Sequence, residues 1–198
     1  MNFFYFFKKE SLRNWVTKNA ESPQSTKILS IVSFSESVFL PIPPDVLLIA
    51  IISVRRVQRW FFFSSITTIF SVLGAVAGYL IGALFFDAFG EAIISFYGLQ
   101  IQFDKISLAF QDKTFLTILV AAITPIPFKV FTLAGGLFKV NFFIFLIASI
   151  IGRAFRFYLV GYLTKLYGPT LARMFFKHFN LISLLIVILI VIVFRFVL

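Results

Sequence analysis

The sequence predicts an all-α polytopic membrane protein, and three observations predict it. First, 60% of its 198 residues are hydrophobic, 30 of them Phe, and only 13% are charged. A soluble domain averages about 45–50% apolar and about 25% charged residues, so this surplus exceeds what one soluble core absorbs. Second, two apolar stretches are each cut by prolines, at Pro41-Ile42-Pro43-Pro44 and at Pro125-Ile126-Pro127. Third, residues 60–86 run without a single charge, long enough to cross about 30 Å of hydrocarbon with some tilt. With a mean hydropathy of +1.00, the composition excludes both a water-soluble enzyme and a disordered chain.

The elements follow in chain order. Residues 1–27 carry an N-terminal interfacial helix: Leu12, Trp15 and Val16 repeat at helical spacing, with Lys8, Lys9, Arg13 and Lys18 placed to meet headgroups. The apolar cluster at residues 3–7 is short and is followed, not preceded, by lysines, which argues against a secretory signal. Ser22-Pro23 reads as a helix start. Repeat 1 covers 28–86. Its first part, 28–54, is apolar but broken by the prolines, which remove backbone donors and forbid a continuous helix. Each arm is then about 15–20 Å long as helix, too short to cross alone. A re-entrant hairpin fits this pattern, with a Pro-kinked spanning helix as the alternative.

Arg55, Arg56 and Arg59 form a basic loop before the uncharged span. In that span Gly74, Gly78 and Gly82 recur every fourth residue and give one smooth face for close helix packing. Residues 87–113 read as an external amphipathic loop, with Asp87, Glu91, Asp104 and Asp112 against Lys105 and Lys113. Repeat 2, 114–163, has the same plan: apolar arms broken at Pro125 and Pro127, then a span that carries Arg153 and Arg156 near its middle. Residues 164–198 complete the chain as a basic loop and a last transmembrane helix.

Placing the basic loops in the cytoplasm puts the N-terminus inside and gives three full spans, with two hairpins that enter from opposite sides. The net charge of +10 is then a topology signal and a match for anionic headgroups, not a nucleic-acid surface. The strings Leu40-Pro41-Ile42-Pro43-Pro44-Asp45-Val46 and Thr124-Pro125-Ile126-Pro127-Phe128-Lys129-Val130 align residue for residue. The unit of hairpin plus helix therefore occurs twice, and the odd number of crossings between the two copies inverts the second. Paired broken segments in inverted repeats mark secondary transporters with a midplane site.

Five charges fall where an apolar protein would have none: Glu36, Asp45, Lys129, Arg153 and Arg156. Glu36 lies inside an apolar arm, as a proton-accepting carboxyl or as a structural acid at the broken tip. Asp45 and Lys129 occupy the same repeat position with opposite charge, which suggests that they pair; Lys129 is otherwise a phosphate contact. Arg153 and Arg156 share a helix face. They either grip a phosphate or neutralise Glu36 and Asp45. Thr132 adds a hydroxyl. No cysteine is present and His178 is the only histidine, so thiol chemistry and a His- or Cys-built metal site are excluded. No nucleophile, metal or phosphate-loop constellation of an enzyme is present, and no cofactor is expected.

The string Phe34-Ser35-Glu36-Ser37 followed by Pro41-Ile42-Pro43-Pro44-Asp45-Val46-Leu47-Leu48 resembles the DedA family of the VTT (SNARE-associated Golgi protein) superfamily. Thr124-Pro125-Ile126-Pro127-Phe128-Lys129-Val130-Phe131-Thr132, Ala134-Gly135-Gly136, Gly152-Arg153 and Arg156-Phe157 extend the likeness toward the short YqaA-like branch. The resemblance implies a bacterial inner-membrane protein with opposed re-entrant hairpins. It further implies movement of phospholipids or polyprenyl-phosphate carriers between leaflets, coupled to protons, in support of membrane homeostasis. The family's membrane acids match Glu36 and Asp45. Where the family's second hairpin carries two arginines around a Pro-Gly step, this chain has Lys129 alone and Phe128 in place of the glycine, with Arg153 and Arg156 as the bases that take over the role. The partners expected are anionic membrane lipid and protons, with room for a homodimer. The runner-up functions are a non-transporting assembly or insertion factor and an ion-coupled carrier of a small solute.

Overall fold

The computed structural model describes residues 16, 18–20, 22–39, 43–55, 57–98, 100–124, 127–168 and 170. The described residues are helical throughout, joined by short turns. Helix α1 is Ser25–Val38 and α2 is Pro44–Arg55. A 3₁₀ turn, Val57–Arg59, leads into the long helix α3, Trp60–Phe85, which ends in a wide π turn, Phe86–Gly90. Helices α4, Glu91–Phe96, and α5, Gln100–Asp112, come next. The set closes with α6, Thr114–Ile123, α7, Phe128–Leu137, and the long α8, Phe142–Tyr167.

Local chemistry explains the boundaries. The Ser22 hydroxyl accepts a bond from the Gln24 amide (3.2 Å) just before α1. The Asn141 side-chain oxygen accepts from the amides of Phe143 and Ile144 at 3.0 and 3.1 Å and caps the start of α8. Both proline breaks are built alike. Val46 bonds the Pro43 carbonyl at 3.3 Å, and Val130 bonds the Pro127 carbonyl at 3.2 Å. These two bonds occupy matching positions of the aligned strings. Helix α7 ends in a Schellman motif: the Val140 amide bonds Gly135 and the Lys139 amide bonds Gly136. Lys139 takes the left-handed position, at φ 48°.

Among the described residues two stretches are long and apolar enough to cross a membrane, Val57–Gly90 and Phe142–Tyr167. The first contains the span expected at 60–86, and the second covers the span expected at 141–163 from residue 142 onward. The pair α5–α6 bends by 79°, with the Thr114 hydroxyl bonded to the carbonyls of Phe110 and Gln111 at the corner. The expected loop at 87–113 is helical over most of its length. Alternating apolar and charged residues let it coil with one face against the protein, where a turn-rich segment would need Gly and Pro. Helices α6 and α7 form a hairpin closed at its open end. Gln111 donates to the Phe138 carbonyl at 3.0 Å, and the Phe110 and Phe138 rings lie 5.4 Å apart. The interfacial helix expected before residue 16, the tip residues Pro41 and Pro125, and the last span at 181–198 lie outside the described residues.

The chain divides into two compact units. Among the described residues, one contains those from 16 to 29, from 43 to 67 and from 157 to 170. In it α2 is apolar nearly all round and buried from Asp45 to Ile52. An aromatic group gathers Trp60, Phe61, Tyr158 and Tyr162, with the Lys165 ammonium 5.6 Å over the Trp60 ring. The other unit contains Ser30–Ile42 and Thr68–Arg156. Its core joins Ala75 of α3, Ile118, Ala121 and Ala122 of α6, Phe128 of α7, and Phe145 and Ala148 of α8. The glycine face of α3 lies in this unit. A Cβ on Gly74 would strike the Phe34 carbonyl of α1, and one on Gly82 would strike the Leu133 carbonyl of α7. The face is thus a packing surface where backbones meet directly.

Candidate functional site

The second unit holds a buried ion pair. Arg153 lies in α8, one residue past Gly152, which has Ala122 of α6 against it and no side chain to hold the helices apart. The Arg153 side chain is 0% exposed, and its Nη2 donates to Glu36 Oε2 at 3.0 Å. Glu36, on the last turn of α1, is 14% exposed. Arg153 Cζ lies over the Phe128 ring, 4.1 Å from its centroid. Phe128 is itself fully buried. A desolvated cation over a ring face is a favourable pair.

The Ser37 hydroxyl reaches the acid, and others reach Ser37. Ser37 Oγ is 3.4 Å from Glu36 Oε2 and 2.9 Å from Ser71 Oγ of α3. The Thr132 hydroxyl lies 3.0 Å from the Ser37 carbonyl and 2.9 Å from the Lys129 carbonyl, donating to one at a time. Buried polar groups are tolerated when they satisfy one another in this way.

The other two bases meet the ends of helices. Lys129 Nζ donates to the Phe39 carbonyl at 3.2 Å, just past the end of α1. Arg156 donates to the Thr124 carbonyl, just past the end of α6. Both oxygens sit at the negative end of a helix dipole, where carbonyls lack intrahelical donors. Each broken arm is therefore capped by a cation from another helix.

The sequence placed Glu36, Lys129, Arg153, Arg156 and Thr132 as candidates, and the structure brings these five into one unit. Asp45 belongs to the other unit and is buried on the first turn of α2, where the N-terminal dipole favours an acid. Pro43, Pro44 and Pro127 stand at the breaks, as expected. Sequence reasoning missed Phe128, Ser37 and Ser71. A usable signal was present for the serines: Ser30, Ser33 and Ser37 on α1, and Ser64, Thr67 and Ser71 on α3, share the spacing of one helix face, and all six are buried. Among the described residues no group of three or more acidic or histidine side chains gathers as a metal site.

Fold and site together define a multi-pass helical membrane protein with a buried, hydrogen-bonded ion pair beside two broken helices. Residues 42–166 match the VTT domain. A protein of Haemophilus influenzae described as uncharacterised is 38% identical, over 83% of this chain and 84% of its own. A second uncharacterised protein, from Histophilus somni, is 32% identical over 84% of this chain and 86% of its own. The chain belongs to the VTT-domain family, the DedA/SNARE-associated superfamily. No solved structure gives a significant match.

Proposed function

We propose that the protein is a lipid transporter or scramblase-like protein of the bacterial cytoplasmic membrane, with its N-terminus inside, that moves phosphate-bearing lipids between leaflets. The observation that carries this reading is the Glu36–Arg153 pair. A fully buried arginine held by a partly exposed carboxylate is costly in an apolar body and marks a pathway for charge. The closure of α6 and α7 at Gln111 and Phe138 supports a re-entrant hairpin, since both of its ends lie together. The matched bonds at the two proline breaks support a repeated unit, in which the second copy is inverted.

In this reading the lipid tails stay in the bilayer while the phosphate passes Arg153, Arg156 and Lys129. Protonation of Glu36 weakens its hold on Arg153 and frees the guanidinium for phosphate. Asp45 is a second acid available for proton exchange. No covalent chemistry and no cofactor are required. Phospholipid and polyprenyl-phosphate carriers both present the phosphate this route needs.

A second reading takes the charges as structural and the chain as a non-transporting assembly or insertion factor. It draws on Lys129 and Arg156 each holding a helix-end carbonyl. Reconstitution into liposomes with labelled anionic lipids, with and without a pH gradient, separates the two. Transport predicts leaflet exchange above protein-free vesicles, lost in the Arg153→Gln, Arg156→Gln double variant and made insensitive to pH in Glu36→Gln. Absence of exchange for every anionic lipid overturns transport in favour of the second reading, and uptake of a small solute without lipid exchange points to a solute carrier.

A further inference from the structure

The Glu36–Arg153 pair has a third member that no charge count detects. Glu36 is the partly exposed partner, so an incoming anion or proton reaches it first. When it lets go, a guanidinium with 0% exposure has no bulk water to turn to. A contact that stays in place while Glu36 exchanges keeps the cation seated. We infer that Phe128 is the positioning residue of this site: its ring face keeps Arg153 charged and in place while Glu36 exchanges for another anion. The inference rests on the transport reading for its purpose, but its geometry stands without it.

Three observations support the assignment. Arg153 Cζ is 4.1 Å from the Phe128 centroid, well inside the roughly 6 Å range over which a ring quadrupole attracts a cation. Both side chains are 0% exposed, so the attraction is little screened by water. The ring is also anchored. Phe128 is the first residue of α7, directly after Pro127, and packs in a core with Ile118, Ala122, Phe145 and Ala148. A ring carries no proton to lose and cannot be displaced by a competing anion. The site thus sets an exchangeable partner, Glu36, beside a permanent one, Phe128. An anion that replaces Glu36 meets a guanidinium that the ring has kept in place.

The competing explanation is that Phe128 is an apolar wedge whose shape alone matters. Progressive fluorination of the ring separates the two, because mono-, di- and trifluorophenylalanine keep nearly the same shape while the negative charge of the ring face falls. The full chain is prepared with these residues at position 128, in wild-type and Glu36→Gln backgrounds, and its melting midpoint is read in detergent. Fluorination is expected to lower the midpoint by about 2–4 °C more in Glu36→Gln than in wild type, because the ring then carries more of the cation's stabilisation. Equal shifts in the two backgrounds overturn the inference.

Exchange of labelled phosphatidylglycerol in liposomes is the second readout. Its rate is expected to fall stepwise with fluorination, on the order of tenfold at the trifluoro residue. A wild-type rate unmoved by fluorination overturns the inference and leaves transport standing. Background-dependent melting with no wild-type exchange of any anionic lipid upholds the positioning role and overturns the transport reading.

Discussion

Helices α1 and α6 hold matching places before the two proline breaks, and they do different work. Both end at a proline break, and both have their last carbonyl held by a cation from elsewhere, Lys129 for one and Arg156 for the other. Beyond that they diverge. Helix α1 carries Glu36 and buried Ser30, Ser33, Ser35 and Ser37. Helix α6 gives Ile118, Ala121 and Ala122 to the core. In the aligned register Val120 stands where α1 has Glu36 and Ala121 where it has Ser37, and Val120 is 43% exposed. The proline break recurs while the polar chemistry is one-sided. Matching breaks do not require matching polar residues on the arms that lead into them.

The largest test of this contrast removes the charge that only α1 answers. Arg153→Met leaves Glu36 without its guanidinium and is expected to cost about 3–5 kcal/mol, read by thermal unfolding. The Glu36→Met, Arg153→Met double variant should recover most of that loss, because a buried pair replaced by apolar side chains is often neutral. Failure to recover would show that the pair is needed for folding itself. Next comes the reverse transplant. Val120→Glu gives α6 the acid of α1 on an exposed apolar face, where it meets lipid, at about 2–3 kcal/mol, seen as lower yield and a lower melting midpoint. A neutral outcome would mean that α6 tolerates the chemistry it lacks.

Smaller effects sharpen the comparison. Gly74→Ala strikes the backbone of α1 and Gly82→Ala that of α7, each at about 1–3 kcal/mol. Similar losses would show that α3 braces both hairpins alike, whereas a loss confined to Gly82→Ala would show that α1 can shift. Smallest is Ser71→Ala, which removes the 2.9 Å partner of Ser37 at about 1 kcal/mol. In the leaflet-exchange assay the same variant should change the rate more than its stability cost implies if the hydroxyl helps to place Glu36.

The breaks at Pro43–Pro44 and Pro127 were legible because proline acts on its own neighbours, so four short arms and two long helices could be placed from local rules. The glycine face was legible for a similar reason, since small residues every fourth position describe a surface whatever packs on it. The partners were not. The Glu36–Arg153 pair joins residues 117 positions apart, and Ser37 meets Ser71 across 34. The oxygens that hold Lys129 and Arg156 belong to the backbone, which every residue has, so no pattern of side chains announces them. Phe128 was hidden by composition: among 30 phenylalanines, one with its face on a cation looks like the rest. The helical content of 87–113 was underread because its mixed charge suggested solvent more than it suggested coiling.

The contact between α3 and α7 has a mechanical consequence. A Cβ on Gly82 would strike the Leu133 carbonyl, and one on Gly136 would strike the Tyr79 carbonyl, so the two helices touch backbone to backbone from both sides. Side chains that interdigitate can slide by changing rotamers, but bare backbone has no rotamers to change. The pair therefore resists shear and moves as one rigid lever. Any rearrangement that opens the hairpin must be taken up by bending where the helical bonding stops, at Thr124 and Pro127, beside the Thr124 carbonyl that Arg156 holds.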